Sequence, residues 1–235
     1  MKERVKETFD QLAKVYEKSV DHTSLYNSEY ERPSMLAHLP RSLHNKNVLD
    51  AGCAAGWYTL QLIKRGANVV ATDISLEMVN ATKRRIGEKA KVHCLDLETE
   101  LPFDDNSFDI ILSSLTLHYI KEWDHVFHEF QRILKPQGIL LFSIHHPFTD
   151  IKLLPDAKYF STELIIDTWN KEGKLYKVPF YRRPLNEIIN STQKNFSIEK
   201  ITEPLPTMKF KEQSPEKYNR LMESPQFLII KAVSK

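Results

Sequence analysis

Between residues 47 and 146, short apolar runs alternate with amphipathic windows of helical length, and this alternation leaves few folds open to the chain. Strand-length runs separated by helix-length segments build βαβ units, whose strands lie parallel in one sheet. Strands are predicted over 47–52, 68–74, 91–97, 108–115 and 138–146, with helices between them over 58–65, 76–86 and 123–134. Ser75 precedes the second helix as a side-chain cap, its hydroxyl accepting from a first-turn amide. Lys135-Pro136-Gln137-Gly138 stops the third, because proline breaks the ladder and glycine tolerates a left-handed end.

After His146 the alternation breaks. Residues 147–184 read as an insertion in which 162–169 and 174–181 pair as a hairpin around Asn170-Lys171-Glu172-Gly173. A helix over 185–194 and strands over 196–203 and 226–234 close the chain, the strands separated by a proline-punctuated loop with one short helix near 216–222. The 235 residues are read as a single domain, with a helical lid at 1–45 and the 147–184 insertion as a cap.

Composition narrows the partners. Lysine and arginine number 33 against 31 acids, so the net charge of +2 offers no field strong enough for nucleic acid or an anionic membrane. A small-molecule partner is expected instead. The two cysteines, Cys53 and Cys94, are too few for a disulfide framework and fit a cytoplasmic protein. Charges spread over residues 1–18 do not fit a secretory signal, and no segment approaches the ~20 apolar residues of a membrane span. No cysteine or histidine pairs stand at zinc spacing, so no metal is expected. The chain is expected to be a monomer or a homodimer.

The chemistry concentrates at strand ends. The first strand runs into Asp50-Ala51-Gly52-Cys53-Ala54-Ala55-Gly56, a turn of small residues that lets a ligand approach backbone amides. A dinucleotide site needs glycines at the first, third and sixth positions, but from Gly52 these hold Gly52, Ala54 and Trp57. Asp50 at the strand tip would also repel a pyrophosphate while favouring a cationic ligand. Asp73 ends the second strand about 20 residues on, where an acid accepts both hydroxyls of an adenosine ribose. Asp96 ends the third, placed to accept from an adenine amino group. Open α/β sheets bind ligands at this carboxyl-terminal edge.

These residues, together with Phe108-Asp109-Ile110-Ile111-Leu112-Ser113-Ser114-Leu115-Thr116-Leu117-His118 and Leu134-Lys135-Pro136-Gln137-Gly138-Ile139-Leu140-Leu141, resemble the class I S-adenosylmethionine-dependent methyltransferases. The likeness covers about residues 47–147 and is closest to the small-molecule branch that includes quinone-biosynthesis enzymes. It implies a Rossmann-like α/β fold: a seven-stranded mixed sheet of order 3-2-1-4-5-7-6, flanked by helices. It implies S-adenosylmethionine as cofactor, with Gly52, Cys53 and Ala54 along the methionine part and Asp73 and Ile74 at the ribose and adenine. Asp96 and Leu97 would meet the far adenine edge, Ser113 or Leu115 the sulfonium, and Met78 the adenine face, with Asp50 supporting the amino-acid end. Ala54 replaces the family's middle glycine, which predicts that residue 54 avoids a positive φ. The amino-terminal helices, with Tyr16, Tyr26, Tyr30 and Arg32, would cover the cofactor.

For the acceptor side, His118 follows the fourth strand and His145-His146 the fifth, so His118 and His145 are candidates for a general base or substrate clamp. Adjacent strand residues face opposite ways, which separates His145 from His146. The fourth strand continues as Ser113-Ser114-Leu115-Thr116, without the Asn/Asp-Pro-Pro-aromatic signature of enzymes that methylate nucleic-acid amino groups. The reading is methyl transfer to a small-molecule acceptor. Its rivals are an NAD(P)-dependent oxidoreductase, which shares the ribose acid, and a non-catalytic module that keeps only the cofactor pocket.

Overall fold

The computed structural model describes residues 1–20, 23–154 and 156–235. Its main sheet contains β1 (Asn47–Ala51), β2 (Asn68–Asp73), β3 (Lys91–Cys94), β4 (Phe108–Ser114) and β5 (Leu134–His145) as parallel neighbours. The insertion supplies β6 (Glu163–Lys171) and β7 (Lys174–Arg182), which pair only with each other, and β8 (Phe196–Thr202) and β9 (Phe227–Ser234) complete the main sheet. The order β3-β2-β1-β4-β5-β9-β8 is the expected arrangement once the separate hairpin is left out of the numbering. β9 runs antiparallel between β5 and β8.

Alternation along the strands feeds two cores, as a sheet covered on both faces requires. Leu49, Ile111, Leu140, Phe142 and Ile230 face one side, against Phe127, Phe130 and Ile133 of α5 (Asp124–Ile133) and Ile188 of α6 (Leu185–Asn195). Val48, Ile110, Leu112, Leu141 and Ile229 face the other, against Met35 of α2 (Arg32–Ala37), Leu39, Leu43 and the Tyr58 and Leu62 of α3 (Trp57–Lys64). α4 (Leu76–Ile86) is capped as expected, the Met78 amide donating to Ser75 Oγ at 3.1 Å.

Three local expectations change. β5 begins at Leu134, which pairs with Phe108 while Ile139 pairs with Ile110, so Lys135-Pro136-Gln137-Gly138 forms a bulge inside the strand. Gln137 takes the left-handed turn there, at φ +62°. β3 ends at Cys94, releasing Leu95, Asp96 and Leu97 from the sheet. The proline-punctuated loop holds two helices, α7 (Met208–Gln213) and α8 (Pro215–Glu223); Thr207 caps the first by accepting from the Phe210 amide at 3.2 Å.

Two elements close over the carboxyl-terminal edge. α1 (Lys2–Val15) docks on α4 where Asp10 accepts from Ser75 Oγ at 2.6 Å, and Glu17 just beyond it takes a two-point bond from Arg84 at 2.9 and 3.0 Å. The hairpin lies against α1, with Tyr176 and Val178 packed on Leu12, Ala13 and Val15 and Thr8 Oγ1 donating to the Lys177 carbonyl at 3.2 Å. Its two-residue turn has Glu172 at φ +52° and Gly173 at φ +79°, the geometry that matches strand twist.

Arg183 fastens the far end of the hairpin. Buried, it donates to the carbonyls of Ile120 at 2.9 Å and Lys121 at 2.7 Å and stacks 4.0 Å over Trp123. Burial lowers its pKa to about 10 against the favourable charge of Glu187. Arg183→Ala leaves those carbonyls without a charged donor, and an equilibrium urea titration is expected to show a loss of about 2–3 kcal/mol.

Candidate active site

The site begins where β1 meets α3. Gly52 sits at φ +83°, and a Cβ there would lie 2.2 Å from Thr116 Oγ1, so only glycine fits. Its amide and that of Cys53 both donate to the Thr72 carbonyl, at 2.8 and 2.9 Å, pinning the turn to β2. Gly56, at φ +77°, starts α3.

Ala54 adopts φ +47°, contrary to the expectation that an alanine there would avoid the left-handed region. Its surroundings hold it there. The Ala54 amide donates to Asp73 Oδ2 at 2.9 Å, and its carbonyl accepts from Thr82 Oγ1 at 2.7 Å. Two good hydrogen bonds offset a conformational penalty of about 1–2 kcal/mol.

Asp73 is a cradle in its own right. Ser75 N donates to Oδ1 at 2.9 Å while Ala54 N occupies Oδ2, yet an ionised carboxylate has about four acceptor positions. Both oxygens therefore keep capacity for a ligand, and the residue lines a cavity of about 590 Å³. Burial raises its pKa to about 6, against these two backbone bonds, with the charge of Asp10 adding to the rise. Gly52, Cys53, Ala54, Ile74, Asp96 and Leu97 line the same cavity. Asp96 is already engaged, accepting from Glu98 N at 2.9 Å and Lys2 Nζ at 2.6 Å.

Four of the singled-out residues stand elsewhere. Asp50 is buried behind the turn, accepting from Thr59 Oγ1 at 2.6 Å, and braces α3 instead of facing the cavity. Met78 is fully buried in a cluster with Leu12, Ala55 and Ala81 and does not line the cavity. Ser113 donates across the sheet to the Ala51 carbonyl at 2.9 Å, and strand alternation leaves Ser114 at the cavity in its place. His118 is buried in a short 3-10 turn that presents Tyr119 instead; neither of its ring nitrogens has a hydrogen-bond partner among the described residues. Burial, then the neighbouring His145 and Arg183, hold its pKa well below the usual histidine range.

The opposite wall carries the other candidate base. His145 lines the cavity with its Nδ1 3.4 Å from Asp150 Oδ1, stacked at 4.1 Å on His118 and edge-on to Phe180 at 4.7 Å. His146 turns the other way, Nε2 meeting Glu203 at 2.9 Å. Leu115, also at the cavity, adopts φ +48°, its amide bonded to Ser143. Tyr16, Tyr26 and Arg32 line the cavity, Arg32 at 4.0 Å over Trp57, whereas Tyr30 is buried with its hydroxyl accepting from Gln226 N.

Sequence reasoning missed Glu31. It takes hydroxyl bonds from Tyr58 at 2.7 Å, Ser114 at 2.8 Å and Ser143 at 2.6 Å at the cavity wall, and burial raises its pKa despite them. The partners lie on β4, β5 and α3, so no local pattern announces them. Asp150 was legible in principle, at the end of the short helix, Pro147–Asp150, that follows His145.

Asp50 gives a pH prediction. Burial raises its pKa from 3.8 to about 7, with Asp73 adding to the rise and Thr59 opposing it. An acid whose pKa is raised on folding stabilises the fold fully below its unfolded pKa, and that contribution is lost as pH rises through the folded value. Ligand-free protein is expected to lose stability between about pH 4 and pH 7 from this group, and Asp50→Asn to flatten the slope of urea midpoint against pH.

Comparison with known proteins agrees with this geometry. Residues 49–142 match a family model described as a methyltransferase domain. A malonyl-[acyl-carrier protein] O-methyltransferase of Methylovorus sp. is 33% identical over 70% of this chain, which spans 57% of that relative's length. A Listeria monocytogenes structure described as a candidate S-adenosylmethionine-dependent methyltransferase superposes with TM-score 0.75 at 25% identity, over 87% of this chain and 96% of that one. An S-adenosylmethionine-dependent methyltransferase of Mesorhizobium loti superposes with TM-score 0.69, also at 25% identity, over 86% and 97%. The parallel sheet, the small-residue turn after β1 and these likenesses are those of class I S-adenosylmethionine-dependent methyltransferases, and they identify the chain as a methyltransferase with S-adenosylmethionine as its cofactor.

Proposed function

We propose that this enzyme methylates a small-molecule acceptor held between the sheet edge and a cap formed by residues 1–45 and 147–184, with His145 as general base. The observation that carries the reading is one cavity joining the Gly52 turn and Asp73 to His145 and Asp150. Its volume of about 590 Å³ lies in the range of small-molecule sites.

The residues fit the cofactor. The Gly52–Ala54 backbone, free of a Cβ at its tightest point, suits the methionine part, and the spare acceptor capacity of Asp73 suits the ribose hydroxyls. Ile74 and Leu97 would flank the adenine, with Asp96 at its edge, and Leu115 and Ser114 would stand nearest the reacting centre. Bound there, S-adenosylmethionine supplies an electrophilic methyl group on a sulfonium.

The chain's own work is to orient the acceptor, exclude water and move a proton. Asp150 favours the His145 tautomer protonated on Nδ1, leaving Nε2 to accept a proton from the acceptor. Phe180 and Phe227 beside the imidazole keep the site apolar. His118, stacked beneath and neutral, supports the ring without meeting the acceptor. Among the described residues no helix is long and apolar enough to cross a membrane. We propose a cytoplasmic enzyme, on its two cysteines, too few for a disulfide framework, and a monomer or homodimer.

Transfer of labelled methyl from S-adenosylmethionine to a metabolite panel tests the function. Asp73→Ala is expected to weaken S-adenosylhomocysteine binding by about 1–3 kcal/mol in calorimetry, and an unchanged affinity would refute the ribose assignment. His145→Ala is expected to lower turnover by about 100-fold or more while cofactor affinity holds. Wild-type turnover in that variant would remove His145 as the base.

A further inference from the structure

The inner face of the hairpin carries one residue out of keeping with its neighbours. Between the strand ends that face consists of Ile165, Asp167 and Trp169 on β6, and Tyr176, Val178 and Phe180 on β7. Asp167 is the only charge among them, and with Trp169 and Phe180 it lines the cavity. Its oxygens accept from Trp169 Nε1 at 2.9 Å and Thr168 N at 2.7 Å. These bonds hold the carboxylate in place without neutralising it, and no lysine or arginine pairs with it among the described residues.

Asp150 is a second such carboxylate, buried on the same cavity, its Oδ1 3.4 Å from His145 Nδ1 and without a lysine or arginine partner among the described residues. Tyr119 reports where these charges converge. Burial comes first in raising its phenol well above the usual value, followed by Tyr16, Asp150, Asp167 and Asp73. The cations on the cavity wall are committed elsewhere: Lys2 to Asp96, Arg32 over Trp57, and Lys171 over Trp169 at the hairpin tip. Tyr119, Phe180 and Phe227 also line the cavity, and aromatic rings attract positive charge.

We propose that the acceptor is an amine, bound as its ammonium form against Asp167 and the surrounding aromatic rings. This rests on the methyl-transfer reading above and names its substrate class. An anionic acceptor would meet the charge of Asp167 on the same cavity as His145, with no lysine or arginine to offset it among the described residues, whereas an ammonium group satisfies it. The ammonium gives one proton to His145 Nε2, and the freed nitrogen lone pair forms the new N–CH₃ bond. The S–CH₃ bond breaks as it forms, its electron pair stays on sulfur, and the product leaves as the N-methylated ammonium.

The test measures binding to the full chain saturated with S-adenosylhomocysteine, by calorimetry with three ligands of like shape: phenethylamine, 2-phenylethanol and 3-phenylpropionate. Phenethylamine is expected to bind at least about 10-fold more tightly than the other two. Asp167→Asn, near in shape, should erase that preference and leave affinity for S-adenosylhomocysteine and 2-phenylethanol unchanged. Trp169→Phe removes the indole donor but keeps the charge, and should retain the preference. Equal binding of 3-phenylpropionate, no binding of the amine, a preserved preference in Asp167→Asn, or its loss in Trp169→Phe would each overturn the proposal. Failure of wild-type protein to bind S-adenosylhomocysteine at all would instead count against the methyl-transfer reading.

Discussion

Thr116 presses on the Gly52 backbone so closely that no side chain fits between them, and the rest of the site is arranged around that contact. The threonine hydroxyl lies 3.0 Å from the Ser114 carbonyl and 3.4 Å from that of Gly52, bridging the loop after β4 to the turn after β1. Because β1 and β4 are neighbours in the sheet, their ends rise together and meet back to back. The turn is then forced outward, which swings the Ala54 amide onto Asp73 and sets one wall of the cavity. A larger residue at either position would move both loops and spoil that wall.

Around this turn the fold gathers buried acids, Asp50, Asp73 and Glu31, at one edge of the sheet. Each is disfavoured by burial and held by hydroxyls or backbone amides in place of cations. Hydrogen bonds from neutral donors fix a carboxylate without cancelling its charge. Asp73 and Glu31 line the cavity while Asp50 stands behind the turn, so the edge offers fixed acceptors to a ligand, maintained at some expense in stability.

The sheet was legible because its strands are buried on both faces and read as continuous apolar runs. Strand ends were legible for the same reason: the residue after each run had to lie at the edge, which locates Gly52, Asp73 and Asp96. What could not be read was which way a side chain turned. Ser113 and Ser114 are indistinguishable in sequence, and only strand register sends the first to Ala51 and the second to the cavity. His118 resembles His145 until the turn after β4 buries it. Ala54 misled because its φ is set by Asp73 and Thr82, residues far along the chain. Glu31 stayed hidden because all three hydroxyls that bind it come from other elements.

The seam between α1 and the hairpin has a kinetic consequence. Leu12, Ala13 and Val15 are buried against Tyr176 and Val178, so the two covers share one hydrophobic interface. Lifting either alone wets that interface, at about 25 cal/mol for each Å² of apolar surface exposed. Opening is therefore cheapest when both covers swing as a single flap. α1 and the hairpin both line the cavity, so whatever passes on that side meets the two as one cover.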